Sequence, residues 1–207
     1  MKKLESNLPN MVMVLTAITL IASFLLASVY GVTKAPIELA KEKKKEVAIK
    51  NVLPPFNRIE NDTIEGIVVY KGYKDANWVG TAVESVSKNG FGGEIKIIVG
   101  FDAKGCIFNY TVLEQKETPG LGTKMIDWFK TSKNKQSILG KNIAQEELKV
   151  SKDGGNIDAM TASTISSRAF LEAVNNAYST ISHYDTHTSA TQVSDAATAA
   201  TPWVENK

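Results

Sequence analysis

The chain has 207 residues, of which 43% are hydrophobic and 22% charged, with a formal net charge of +2. That length gives one domain of ordinary size once an N-terminal segment and a tail are set aside, and the spread of charge offers no basic stripe for nucleic acid. A single cysteine, Cys106, excludes an internal disulfide framework and a cysteine-cluster metal site, and the two histidines, His183 and His187, lie in a polar stretch that supports no metal centre.

Residues 11–32 contain no charged side chain and are rich in Leu, Ile, Val, Ala and Met. As a helix this run spans the roughly 30 Å hydrocarbon layer of a bilayer. It is longer than the ~7–15-residue apolar core of a cleaved signal peptide, so an uncleaved anchor over residues 1–33 is expected. Lys2 and Lys3 precede the span, while Lys34, Lys41, Lys43, Lys44 and Lys45 follow it. A plain count of lysines would leave the C-terminal part in the cytoplasm. From Lys34 to Lys50, Lys and Glu alternate with Ala, Ile and Leu, the pattern of an exposed helix. Pro54-Pro55 ends any such helix, which makes residues 34–57 a stalk and places a domain over residues 58–184.

The chain turns β-like from Arg58. Ile64 to Tyr73 and Trp78 to Ser87 read as strands, and Asn89-Gly90-Phe91-Gly92-Gly93 as a tight turn without phosphate-loop spacing. Glu94 to Phe101 and Gly105 to Gln115 form a predicted β-hairpin around residues 102–104, with Ile95 and Ile97 on one face. Cys106 falls in this apolar run and reads as a buried, inert thiol. Glu117-Thr118-Pro119-Gly120-Leu121-Gly122 is then a Pro-Gly turn leading into a helix at Met125-Ile126-Asp127-Trp128-Phe129. Residues 136–150 read as a polar connector.

Asp158-Ala159-Met160-Thr161-Ala162-Ser163-Thr164-Ile165-Ser166-Ser167 is dense in hydroxyls and opens an amphipathic helix. Ile165, Ala169, Phe170, Ala173, Val174, Ala177, Tyr178 and Ile181 recur at spacings of three and four and form its expected core face. Ser163 or Thr164 can cap this helix. The free N–H groups and partial positive charge of a helix start also suit a phosphate. Beyond Tyr184 the chain is Thr, Ala and Ser with little apolar content, and residues 185–207 are expected to lack fixed structure.

Two of these strings resemble signatures of the FMN-binding subunits of bacterial Rnf and Nqr respiratory complexes. One is Glu117 to Gly122. The other is the flavin-attachment pattern Asp, two residues, Ser/Thr, Gly, Ala, Thr, here Asp158, Thr161, Ala162, Ser163 and Thr164. Ala162 stands where Gly is usual and Ser163 where Ala is usual. The resemblance runs from about Pro55 to Tyr184 and includes Gly92-Gly93-Glu94-Ile95-Lys96 through Gly105-Cys106-Ile107. The Ser-Ser-Arg-Ala that follows Ile165 is closer to the G subunits of Rnf complexes, with the C subunit of Na⁺-translocating NADH:quinone reductase as the alternative.

The resemblance implies an α+β fold, with a single transmembrane helix followed by one FMN-binding domain built on an antiparallel sheet. It implies FMN bound covalently through a phosphoester on Thr164, with Ser163 as a rival acceptor and Thr161, Asp158, Glu117, Thr118, Gly120 and Leu121 around the cofactor. Lys124 or Arg168 would neutralise phosphate charge, a surface ion pair being the alternative role of each. The implied task is electron carriage in a membrane complex that couples ferredoxin/NAD electron transfer to ion translocation. Implied partners are the other subunits of that complex and a flavin transferase that uses FAD. The implied location is the bacterial inner membrane with the domain on the extracytoplasmic side, opposite to the side the lysine count favours. A membrane-anchored scaffold domain without flavin is the reading of a different class.

Overall fold

The computed structural model describes residues 7–64, 66–75 and 77–198, with side chains as far as residue 182 except at residue 64. Contacts divide the chain into two units, residues 1–45 and 46–207.

The described part of the first unit is helical and belongs to α1, Leu8–Val52. One stretch of α1 has a mean hydropathy of 2.4 and no burial within the protein, so the helix is long and apolar enough to cross a membrane. Its hydroxyls turn back on their own helix: Ser28 donates to the Phe24 carbonyl and Thr33 to that of Val29, each at 2.8 Å. In apolar surroundings such bonds satisfy polar groups that would otherwise have no partner.

The second unit begins inside α1, earlier than the stalk boundary expected at residue 57. Ala48, Ile49 and Val52 on its last turns are buried, and so is Leu53. Five strands follow as an antiparallel meander in the order β1 to β5. They are β1 (Arg58–Ile64), β2 (Ile67–Lys74), β3 (Asn77–Ser87), β4 (Ile95–Asp102) and β5 (Ile107–Glu114). The hairpin between β4 and β5 is the expected one. Asp102 closes it by accepting at its carbonyl from Gly105 N–H (3.0 Å) and at Oδ1 from the N–H groups of Lys104 and Cys106. Cys106 is half-buried, less covered than its run suggested. β1 was not anticipated as a strand of its own, because Arg-Ile-Glu-Asn-Asp-Thr-Ile has too little apolar content to stand out.

The alternation of strands gives the sheet two covered faces. On the back, Ile98, Ala82, Tyr70 and Leu113 pack against Ala48, Ile49, Val52 and Leu53. A Cβ on Gly100 would lie 1.7 Å from the Val52 carbonyl oxygen, so only glycine admits the helix end there. On the front, Ile95, Ile97, Val99 and Phe101 join the main core with α3 (Thr164–Thr198), which lies across β3 and β4. Phe170 of α3 stacks on Phe129 at 4.6 Å between ring centroids and meets Tyr110 edge-on at 4.8 Å.

Two expectations need correction. Residues 136–150 supply Ile138, Ile143, Leu148 and Val150 to the core, so the connector is polar only between these anchors. Ile165 is 49% exposed and leaves the core stripe to Ala169, Phe170, Ala173, Val174 and Ala177. The α3 backbone is described as far as Thr198, and no Gly or Pro interrupts it. Residues 199–207, and the side chains of His183 and His187, lie outside the described residues.

Candidate functional site

The Pro119-Gly120 turn forms as expected. Leu121 N–H donates to the Thr118 carbonyl at 3.1 Å, and Gly120 takes φ +75°, the left-handed angle a type II turn requires at that position. One helical turn, Gly122–Lys124, then leads into the short α2, Met125–Trp128. This brings the loop against the start of α3. Glu117 is 5% exposed and links three segments. Its Oε2 accepts from the Ser166 hydroxyl at 2.6 Å, and its Oε1 accepts from the Gly92 N–H at 3.0 Å. A Cβ on Gly122 would sit 2.6 Å from Glu117 Oε2, which explains the glycine at the end of the string.

Between these segments lies a cavity of about 370 Å³ lined by Phe91, Glu117, Thr118, Leu121, Ser163 and Thr164, with Gly122, Ala162, Ile165 and Ser166 completing the wall. Phe91, Leu121 and Ile165 are exposed at its edge, and Glu117 and Ser166 are buried. The structure therefore brings together two strings that lie some forty residues apart in the chain.

Asp158, Thr161 and Gly120 do not line the cavity. Asp158 is a brace: its Oδ1 accepts from the Ser151 hydroxyl at 2.9 Å, its Oδ2 from Lys135 N–H, and its carbonyl from Trp128 Nε1. Thr161 is exposed in the turn before α3. In that turn Ala162 has φ +59°, a region that L residues other than Asn and Asp rarely occupy. The usual glycine of the attachment pattern would carry no strain there. Ser163, which immediately precedes α3, is 7% exposed. Its carbonyl accepts both the N–H of Ser167 (3.0 Å) and the Ser167 hydroxyl (2.9 Å).

Thr164 is the first residue of α3 and is half-buried. The N–H groups of Thr164, Ile165 and Ser166 precede the first bond of the helix, Ser167 to Ser163, and give this end its partial positive charge. The Lys152 ammonium donates to Thr164 Oγ1 at 3.3 Å. Lys152 sits on a single helical turn, Ser151–Asp153, closed by Gly154. The turn is latched to α3 by Arg168, whose Nε and Nη2 donate to the two oxygens of Asp153, each at 2.7 Å. These hydrogen bonds hold the Asp153 carboxyl below its ordinary value. Of the two roles open to it, Arg168 thus takes the surface ion pair rather than that of a phosphate counter-charge, and Lys124 does not line the cavity. Neither Phe91 nor Lys152 was singled out in the sequence; each reaches Thr164 or its cavity only through the tertiary fold. Among the described residues no cluster of His, Cys, Asp and Glu is arranged to hold a metal ion.

The loops that meet the start of α3 wall an apolar-edged cavity with a hydroxyl on it, and the domain that carries it matches a flavin-binding class. Residues 90–179 match the FMN-binding domain family. Over 193 residues the chain is 31% identical to the G subunit of the ion-translocating oxidoreductase complex of Aliivibrio fischeri, covering 84% of this chain and 89% of that one. The counterpart from Vibrio vulnificus is 32% identical over 79% of this chain and 82% of its own, and that from Haemophilus influenzae 31% over 74% and 80%. The chain belongs to this family, the G subunits of Rnf-type complexes.

Proposed function

We propose that the chain is an electron-carrying flavin subunit of a membrane complex that couples ferredoxin/NAD electron transfer to ion translocation, with FMN esterified through its phosphate to Thr164. The observation that supports this most directly is the position of the Thr164 hydroxyl. It stands at the positive end of α3, beside the Lys152 ammonium, on the wall of a cavity edged by Phe91, Leu121 and Ile165. A phosphate suits the first two features and a flat apolar ring the third. Ser163 suits the acceptor role less, because its side chain is almost fully buried against the same helix start.

Bound flavin supplies the redox chemistry, and this chain supplies position and electrostatics. Leu121 and Phe91 would offer apolar surface to the ring, while Glu117 and Thr118 shape the cavity floor and loop. Gly120 sets the turn that presents Leu121, and Asp158 braces the segment before α3. Exposed Thr161 is suited to recognition by a flavin transferase that uses FAD as donor. The partners are the other subunits of the complex. The domain lies outside the cytoplasm, held to the inner membrane by α1, since large domains translocate despite flanking lysines.

In-gel ultraviolet fluorescence tests this on the full chain co-expressed with a flavin transferase, because only a covalent flavin survives denaturation. The wild type should fluoresce, Thr164→Val should be dark, and Ser163→Ala should remain bright. A dark wild type would leave an anchored scaffold domain; a bright Thr164→Val would move the attachment elsewhere.

A further inference from the structure

Lys152 is an exposed lysine whose charge is placed against the sense of the helix it touches. Cations are favoured at the C-terminal ends of helices and disfavoured at the N-terminal ends, yet its ammonium sits at the first residue of α3. The nearest acid in sequence, Asp153, lies within electrostatic reach of Lys152 but has both oxygens hydrogen-bonded to Arg168. Among the described residues no carboxylate forms an ion pair with Lys152. The 151–155 turn is nonetheless built to hold it there. Ser151 N–H donates to the Ile157 carbonyl at 2.7 Å, its hydroxyl bonds Asp158, and a Cβ on Gly155 would lie 2.3 Å from the Lys149 carbonyl oxygen.

We propose that Lys152 is a phosphate-binding residue for the group carried on Thr164, and that the Asp153–Arg168 pair is the latch that positions it. This rests on the flavin reading above. A phosphodiester at Thr164 Oγ1 carries one negative charge, and Lys152 provides the single cation that balances it. During loading, a bond forms between Thr164 Oγ1 and the flavin-side phosphorus of FAD as the pyrophosphate bond breaks. AMP leaves and the hydroxyl proton passes to solvent. Lys152 attracts the donor's phosphate to the hydroxyl and holds the product ester.

The test compares wild type, Lys152→Gln and Lys152→Arg as full chains in detergent, with transferase and FAD, following intact mass and in-gel fluorescence over time. Loading of Lys152→Gln should be about tenfold slower, the value of one charge-assisted hydrogen bond. Lys152→Arg should load close to the wild-type rate, and all three should melt at the same temperature. Added salt should slow the wild type more than Lys152→Gln. Loading of Lys152→Gln at the wild-type rate overturns the proposal, as does Lys152→Arg failing as badly as Lys152→Gln. A wild type that acquires no flavin mass on the Thr164 peptide overturns the flavin reading itself, a result distinct from either.

Discussion

The Ser166 hydroxyl donates to Glu117 Oε2 at 2.6 Å, joining residues 49 apart in sequence within the wall of the cavity. Because the carboxylate also accepts Gly92 N–H, it fixes the Phe91 loop and the Pro-Gly turn to α3 together. Glu117→Ala leaves both donors without their acceptor, which should cost about 2–3 kcal/mol of stability. Denaturant unfolding measures the loss. Glu117→Gln, which keeps an acceptor oxygen, should lose less.

Ala162→Gly should stabilise the protein. The left-handed angle at residue 162 costs a residue with a Cβ about 1–2 kcal/mol. The greater freedom of glycine in the unfolded chain returns part of that. A net gain of up to about 1 kcal/mol is expected, and Ala162→Val should be destabilising. Melting curves of the two variants decide the matter, since a loss on Ala162→Gly would mean that the turn carries no strain.

Phe170 holds the front core through its contacts with Phe129 and Tyr110. Phe170→Ala should cost about 3–5 kcal/mol from lost burial and the cavity left behind. Tyr110 donates its hydroxyl to the Met125 carbonyl at 2.6 Å, and burial pushes its ionisation far above the ordinary phenol range. In an ultraviolet titration of the folded protein to about pH 11, past the ordinary tyrosine pKa of about 10, Tyr110 should stay silent; Tyr110→Phe should leave the titration curve unchanged.

The Asp153–Arg168 latch should open in acid. Its folded carboxyl titrates below the ordinary Asp value of about 3.9. The order it contributes is therefore present above that value and lost as the pH falls through the lowered one. Amide exchange of residues 151–155 should be slow at pH 5 and should speed up relative to α3 as the pH drops below about 4. Asp153→Asn should show the fast behaviour at both.

What could be read from the sequence depended on how local the signal was. The hairpin around residue 102, the Pro-Gly turn and most of the α3 core stripe follow from periodicity and turn chemistry within short windows. Ile165 matched the stripe but lies in the first turn of the helix, where its side chain lines the cavity. Ile138, Ile143, Leu148 and Val150 were missed because single apolar residues anchor an irregular segment and leave no period. Glu117, Leu121 and Thr164 stand out by their motifs, and the fold gathers them around one cavity. Lys152 and Phe91 lie in turns whose partners are set by distant packing, and the pairing of Arg168 with Asp153 has no local mark.

Gly100 carries a mechanical consequence. The end of α1 touches the back face of the sheet, whereas the cavity is built from α3 and the loops that meet its start. A load drawn along the tether at Val52 would be taken up by β4 before it reached Thr164. A side chain at residue 100 would slacken that mooring and leave the hydroxyl's surroundings as they are.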